Sequence, residues 1–525
     1  MTARARLLAG NPHARRRQRV PQELVRIVEP VEEPSDSSAW RNLIRVAKDV
    51  VSAQQRVVIL TGSSLTLDEL AVVARQRIPV ELDSAAIERM ARHRAVVERK
   101  LASDATVYGL TTGVASLKRV TVDSSAVHRF NWALVREHRI TQGATASPDV
   151  ARAAMLLLAN QFASGVPGVR PLLVDRLVAG LNEGTIPGIR LLGSIGMSDL
   201  GPNADLAAGL FGSVRLEPGE GLALLNHSAV TTALAAFAAV DLGHLLDVAD
   251  AVAALSLEGF GANLSILHAA VGKTRPYPGL SQSLERLRSL LDGSYLWRPG
   301  AARNLQDPLT FRDIPQVHGA LRDALAYART QLAIELNASQ GNPLVVADDD
   351  RIVSAANFDI LPLAAALDFL RIALAPVLTS SAERTTKLLE SAWSGRYTGL
   401  SSQKTPEPGL SELDVAAAAL AAEARLLAQP VSFEVSTTSI ADGIEDRMTM
   451  APLAARRLRE MVGLGERVIA IELLVAAQAA ELLGPVPLGQ GTRHLVQRLR
   501  ERIQHFHWAE DFPVDLEPVV ELVRA

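Results

Sequence analysis

The period of the apolar residues constrains this chain most. Apolar side chains recur at three- and four-residue spacing over 84–102, 150–164, 171–183, 228–256, 316–336, 361–389, 411–428 and 451–482. That spacing lays an apolar stripe along a helix, so each segment is predicted to be one. Several run near twenty residues or longer, and strand signals are few, which predicts a bundle of long packed helices. Hydrophobic residues make up 48% of the chain but aromatic ones only 4%. The core must therefore be built from Leu, Ala, Val and Ile, and Ala and Leu lead the helix propensity scale. Arg56–Leu60 reads as a short strand, and Thr66 before Leu67-Asp-Glu-Leu as a helix N-cap with an acidic first turn. Two short strands are expected around Asp348-Asp349-Asp350, a triplet read as a solvated hairpin turn rather than a cation site.

Charge and cysteine content exclude several classes. The formal charge is −3 over 525 residues, which gives no reason to expect nucleic acid or an anionic membrane as a partner. There is no cysteine, so disulfides, thiolate metal sites and cysteine nucleophiles are ruled out. A cytoplasmic setting is the expectation. Residues 1–55 read as a polar extension without an apolar secretory core, and Arg15, Arg16, Arg17 and Arg19 as part of a solvated tail. Gly221–Val240 approaches membrane-spanning length, but Asn226, His227, Ser228, Thr231 and Thr232 within it suit a buried core helix better. The histidines are scattered, with no HExxH pair, and no metal site is expected. The remainder divides at residue 225 into an N-terminal region, 56–225, and a long-helix region, 226–525.

Glycine and polar clusters interrupt the helices, and these clusters carry a resemblance. Val107-Tyr-Gly-Leu-Thr-Thr-Gly-Val114 resembles the tyrosine loop of the histidine/phenylalanine ammonia-lyase and aminomutase superfamily. Ala151-Arg-Ala-Ala-Met, Ala159-Asn160 and Gly168-Val-Arg170 match the helix that follows there. Leu181-Asn-Glu-Gly-Thr-Ile-Pro187 leads into Gly193-Ser-Ile-Gly196, as that family leads into its electrophile. Glu220-Gly-Leu-Ala-Leu-Leu-Asn226, Gln306-Asp-Pro-Leu-Thr-Phe-Arg312, Pro315-Gln-Val-His-Gly319, Asn342-Pro343, Asn357-Phe358 and Glu445-Asp446 complete the set. The resemblance implies a fumarase/aspartase-like fold, mainly α, with a smaller mixed N-terminal region holding the tyrosine loop. It also implies a homotetramer with the 451–482 helix in its central bundle.

The family's enzymes cyclise an internal Ala-Ser-Gly into methylidene-imidazolone, an electrophile that draws electron density from an amino acid substrate. Tyr108 falls on the base that removes the β-proton, and Arg312 on the arginine that grips the carboxylate. Asn226 falls on the asparagine supporting electrophile and substrate, and Glu445 on a glutamate near the amino group. Gln316 and Phe358 fall on pocket positions. His138, in Arg136-Glu-His138, falls where the family tunes side-chain selectivity and resembles the histidine-lyase form. A phenol titrates near pH ~10, so Tyr108 needs an electrostatic downward shift to act as a base near neutrality.

The pattern breaks at the electrophile itself. The family reads Ala-Ser-Gly-Asp-Leu where this chain reads Met197-Ser198-Asp199-Leu200. Either the glycine is deleted or Asp199 replaces it. Ring closure needs the third residue's backbone nitrogen to attack the first residue's carbonyl in a strained turn, which glycine favours. Met197 and Asp199 oppose it, although Ser198 remains for dehydration. The group is not expected to form, and no external cofactor is expected. Leu309 stands where a second tyrosine is usual, and Asp359 replaces a histidine. Gly341 replaces an aspartate, His227 a glycine, Leu158 an arginine and Ile444 a glutamine. Three readings follow. The first is an enzyme doing elimination, isomerisation or cyclisation on an amino acid or related carboxylate without the prosthetic group. The second is an ordinary ammonia-lyase or aminomutase whose Met197-Ser198-Asp199 does cyclise. The third is a non-catalytic binding or scaffold homologue.

Overall fold

The structure, a computed structural model, describes residues 57–103, 105–401, 406–433, 441–507 and 511–525. The extension at 1–55, its arginines and Arg56 lie outside these. Among the described residues, three small two-stranded sheets sit on a helical body. β1 (Val58–Leu60) pairs in parallel with β2 (Val80–Leu82), and β3 (Gln142–Thr145) pairs antiparallel with β4 (Arg190–Leu192). The hairpin of β5 (Leu344–Val346) and β6 (Arg351–Val353) frames the acidic turn as expected. Its aspartates are not simply solvated: Asp350 pairs with Arg99 and Lys100, and Asp348 with Arg92. Thr66 caps the Leu67–Gln76 helix through a full capping box with Glu69.

The helices that position the site are α1 (Pro148–Ala163), α2 (Leu200–Phe211), α3 (Ala229–Phe260), α4 (Leu309–Arg312), α5 (Ile314–Glu335), α6 (Leu361–Leu389) and α7 (Ala451–Glu481). The apolar period places the bounds of α1, α3, α5, α6 and α7 to within a few residues and gives no sign of α2 or α4. α3, α6 and α7 reach 32, 29 and 31 residues, close to the spans their apolar period marks. The apolar stretch read as one core helix is broken at Asn226–Ser228, between the short Glu220–Leu225 helix and α3.

α3, α6 and α7 run in one direction. Gly465 on α7 lies against Leu245 of α3 and Leu378 of α6. Further along all three, Glu472 binds Ser256 at 2.6 Å and Arg384 at 2.6 and 2.9 Å. α5 runs back beside α3, placing His318 on Asp250 and Arg329 against Gly243. The segments 220–260 and 361–389 are apolar enough to cross a membrane by length and composition alone, and both are mostly packed inside the protein. One hydrophobic core extends from Val58 to Val523 across the proposed division at residue 225.

Candidate active site

Because α3, α6 and α7 are parallel, their N-termini emerge together, and α2 starts at the same place. The segments before these starts are Asn226–Ser228, Asn357–Asp359, Glu445–Met450 and Met197–Asp199. Each carries residues that the sequence singles out. A helix start presents a partial positive charge, so four together favour an anion at this spot.

The tyrosine loop is folded by Thr111, whose hydroxyl accepts from Val107 N at 2.8 Å and donates to Ala105 O at 3.0 Å. Gly109 has φ +72° and packs on Leu222, where a Cβ would fall 2.3 Å from a side-chain methyl. This contact sets the loop on the Glu220–Leu225 helix, one turn before Asn226. The Tyr108 hydroxyl accepts from Ala115 N at 2.9 Å. The expected downward shift is absent in the single chain. Burial raises the phenol above its ordinary value, the Ala115 N–H opposes this, and the nearby Glu445 charge raises it further.

Ser198 is buried and has φ +66°, a strained conformation for a residue with a Cβ. Its hydroxyl donates to Asn226 Oδ1, while Asn226 Nδ2 donates to Asn342 O at 3.0 Å. Two residues earlier, Gly196 has φ +84°, and a Cβ there would meet Thr449 Oγ1 at 2.2 Å. Asp199 faces away from this turn. Its N–H donates to His227 O at 2.8 Å, and its carboxylate accepts from Thr231 N at 2.7 Å and Thr231 Oγ1 at 2.6 Å. It thus caps α3 from a distant part of the chain. Burial pushes its pKa up to about 6 against the hydrogen bonds from Thr231 and Val230.

His227, which stands where the family has glycine, serves the same helix start. Its Nδ1 accepts from Asn203 Nδ2 at 3.2 Å and Ala229 N at 3.4 Å, and its Nε2 reaches Leu224 O at 3.0 Å. These partners require a neutral ring with the proton on Nε2, and burial accordingly pushes its pKa down to about 4. A narrow cavity runs behind Asn226 and His227, walled by Leu110, Leu222, Phe162 and Val345.

Phe358 is half-buried, and its carbonyl accepts from Ser228 Oγ at 3.4 Å. Asp359 pairs with Arg447 at 3.3 Å. Sequence reasoning overlooked Arg447, Thr449 and Asn203. The loss of a histidine at 359 was the available signal for a compensating charge near Glu445.

Not every expected site residue joins this group. His138 caps its own helix, with Nδ1 on Leu134 O at 2.8 Å, and its backbone lies against Gly201 at the start of α2. Arg312, Gln316 and Leu309 sit elsewhere altogether. Asn263 N donates to Asp307 at 2.7 Å, and Phe311 stacks on Phe260 with ring centroids 4.2 Å apart, which fixes the 306–312 segment at the C-terminal end of α3. At about 1.5 Å per residue, α3 separates Arg312 from Asn226 by roughly 45–50 Å. Arg312 Nε donates to Asp307 O at 2.7 Å, and Gln306, with its amide oxygen turned inward, accepts from both terminal nitrogens at 3.0 and 3.2 Å. Leu309 is 63% exposed, and the Gln316 Oε1 atom is buried without a partner among the described residues.

A long-helix scaffold with Tyr108, Ser198, Asn226 and Glu445 gathered at its helix starts defines a lyase-type enzyme. A family model described as aromatic amino acid lyase matches residues 65–215 and 213–501. A histidine ammonia-lyase from Gloeobacter violaceus is 36% identical, with 89% of this chain and 95% of the relative covered. One from Alkaliphilus metalliredigens is 33% identical, covering 89% and 96%. Among solved structures, the ergothioneine-degrading enzyme ergothionase from Treponema denticola superposes with a TM-score of 0.85 at 27% identity, covering 89% and 99%. Histidine ammonia-lyase from Trypanosoma cruzi gives 0.82 at 29%, covering 89% and 93%. The chain belongs to the aromatic amino acid lyase family.

Proposed function

We propose that this enzyme eliminates a tertiary amine from a betaine of a histidine-like amino acid, without a methylidene-imidazolone group. The Asp199 backbone nitrogen carries this reading. Ring closure would require that nitrogen to attack the Met197 carbonyl, yet its N–H is spent on His227 O at 2.8 Å. The Asp199 carbonyl accepts from Asn203 N at 2.8 Å and its carboxylate caps α3, so closure would dismantle two helix starts. These residues fit the ring poorly. The capping role also favours deletion of the glycine, with Asp199-Leu200 standing for the Asp-Leu that follows it in the family.

Without an electron sink, the leaving group must be a good one. A quaternary ammonium leaves as a neutral amine, and the ergothioneine-degrading neighbour supports a histidine betaine as the substrate class. The base takes the β-proton, the C–N electron pair departs with the amine, and a Cα=Cβ bond forms. Tyr108 is assigned as the base, with Glu445 beside it. Ser198 and Asn226 line the reacting end under the positive ends of α2, α3, α6 and α7, which stabilise developing negative charge.

Arg312 is the carboxylate clamp of a neighbouring copy. The length of α3 supports this, since one small substrate cannot touch both Arg312 and Tyr108 of the same chain. Exposed apolar residues support it too: Leu305 and Leu309 lie beside the clamp, and Phe369 and Ile372 lie on the outer face of α6. A homotetramer satisfies both.

The test pairs the mass of the peptide spanning Met197-Ser198-Asp199 with amine release from ergothioneine and from L-histidine. An unmodified mass with trimethylamine released from the betaine alone is the expected result. A mass deficit of two waters, with ammonia from histidine, would instead identify an ordinary ammonia-lyase. Tight binding without product would identify a binding homologue.

A further inference from the structure

Three loops meet at the Ser198 turn, and one ion pair joins two of them. Asp359 Oδ1 accepts from Leu361 N at 2.9 Å, which caps α6, while its Oδ2 faces Arg447 Nη2 at 3.3 Å. The Asp359 backbone bridges to Met197. Just beyond Arg447, Thr449 Oγ1 donates to Gly196 O at 2.6 Å and Met450 N to Ile195 O at 3.1 Å. Glu445, two residues before Arg447, lies close enough to raise the Tyr108 phenol. Asp359 and Arg447 thus close a circuit of contacts linking 195–198, 357–361 and 445–450.

Resting on the reading of Met197-Ser198 as an uncyclised turn, we infer that the Asp359–Arg447 pair is a latch that holds this turn and the Glu445 loop in register. It supplies by charge the local order that a covalent ring would supply by bonding. Arg447 is then a positioning residue for Glu445 and Ser198. The arginine and aspartate side chains are 44% and 23% exposed, so salt can reach the pair, and its loss should loosen the loops rather than unfold the chain.

Hydrogen exchange of the full chain tests this without requiring turnover. Arg447→Met should speed exchange in 193–199 and 441–450 together by about threefold to fivefold, the reach of a partly exposed pair worth up to ~1 kcal/mol. Arg447→Lys, which keeps the charge, should remain within about twofold of the parent. High salt should move the parent towards the Arg447→Met pattern and leave that variant unchanged. Unaltered exchange at 193–199 in Arg447→Met would overturn the latch, as would an Arg447→Lys variant as fast as Arg447→Met. If Arg447→Met does not fold, the lysine variant and the salt series still decide. The peptide mass judges the missing ring separately: an unmodified peptide with unaltered exchange removes the latch alone.

Discussion

Asp199 caps a helix it does not belong to, with its carboxylate 2.7 Å from Thr231 N and 2.6 Å from Thr231 Oγ1. Burial raises its pKa from 3.8 to about 6. Between those values the folded chain keeps a proton that the unfolded chain has released. The group's contribution to stability is thus fully present below the unfolded value and is lost as pH rises through about 6, a loss of about 3 kcal/mol. Asp199→Asn retains an acceptor for Thr231 N and cannot titrate. Denaturant unfolding at pH 4 and pH 7.5 should show the variant gaining on the parent by about 2–3 kcal/mol at the higher pH. An equal difference at both values would show that Asp199 does not titrate as a buried group.

Glu445 and Tyr108 are coupled, and the sign of the coupling can be measured. Burial, and after it the Glu445 charge, holds the phenol above its ordinary value. Glu445→Gln removes one of these influences and should lower the Tyr108 titration midpoint, read as the phenolate absorbance lost in a Tyr108→Phe background. Tyr108→Phe itself should abolish turnover while leaving the circular dichroism and melting temperature near those of the parent. A folded Tyr108→Phe enzyme with near-parental activity would take the residue out of the mechanism.

Arg384 and Glu472 form a fully buried bidentate pair between α6 and α7, with Ser256 of α3 as a third partner. Removing one member strands the other charge among Leu and Ala side chains. Arg384→Met should cost about 3–5 kcal/mol in denaturant unfolding, whereas Arg384→Met with Glu472→Leu should recover most of that loss. A single variant within 1 kcal/mol of the parent, on the order of an exposed pair, would mean that water reaches the site.

The helices were legible because their signals are local. The apolar period marks each face, and Pro148, Pro171, Pro362 and Pro452 sit in first turns where a missing N–H costs nothing. Tyr108, Ser198, Asn226 and Glu445 were legible as a set through the resemblance. The direction in which α3, α6 and α7 pack was not, because a periodic stripe is the same for parallel and antiparallel neighbours. The role of Asp199 was equally hidden: its partner lies thirty-two positions on, at Thr231. His227 was legible only as a replacement for a glycine, yet its hydrogen bonds make it a neutral capping acceptor. The chain order likewise says nothing of the distance between Tyr108 and Arg312.

That distance gives the most direct test of the assembled site. If the clamp of one copy serves the base of another, Tyr108→Phe and Arg312→Ala should each be inactive alone. Arg312→Ala should weaken a carboxylate ligand by about 2–5 kcal/mol in calorimetry, as for a charge-assisted contact at an interface. Co-expression of the two variants with different affinity tags, followed by tandem purification, yields mixed oligomers. Some sites in these pair an intact tyrosine from one chain with an intact arginine from the other, and activity should return in the mixed species only. Separately purified variants mixed without subunit exchange should stay inactive. If the mixed oligomers also stay inactive while the parent with the same tags is active, the two residues do not serve one site from different chains. Arg312 would then be a structural tie to Gln306 and Asp307, and the carboxylate would have to be held from within the Tyr108 end.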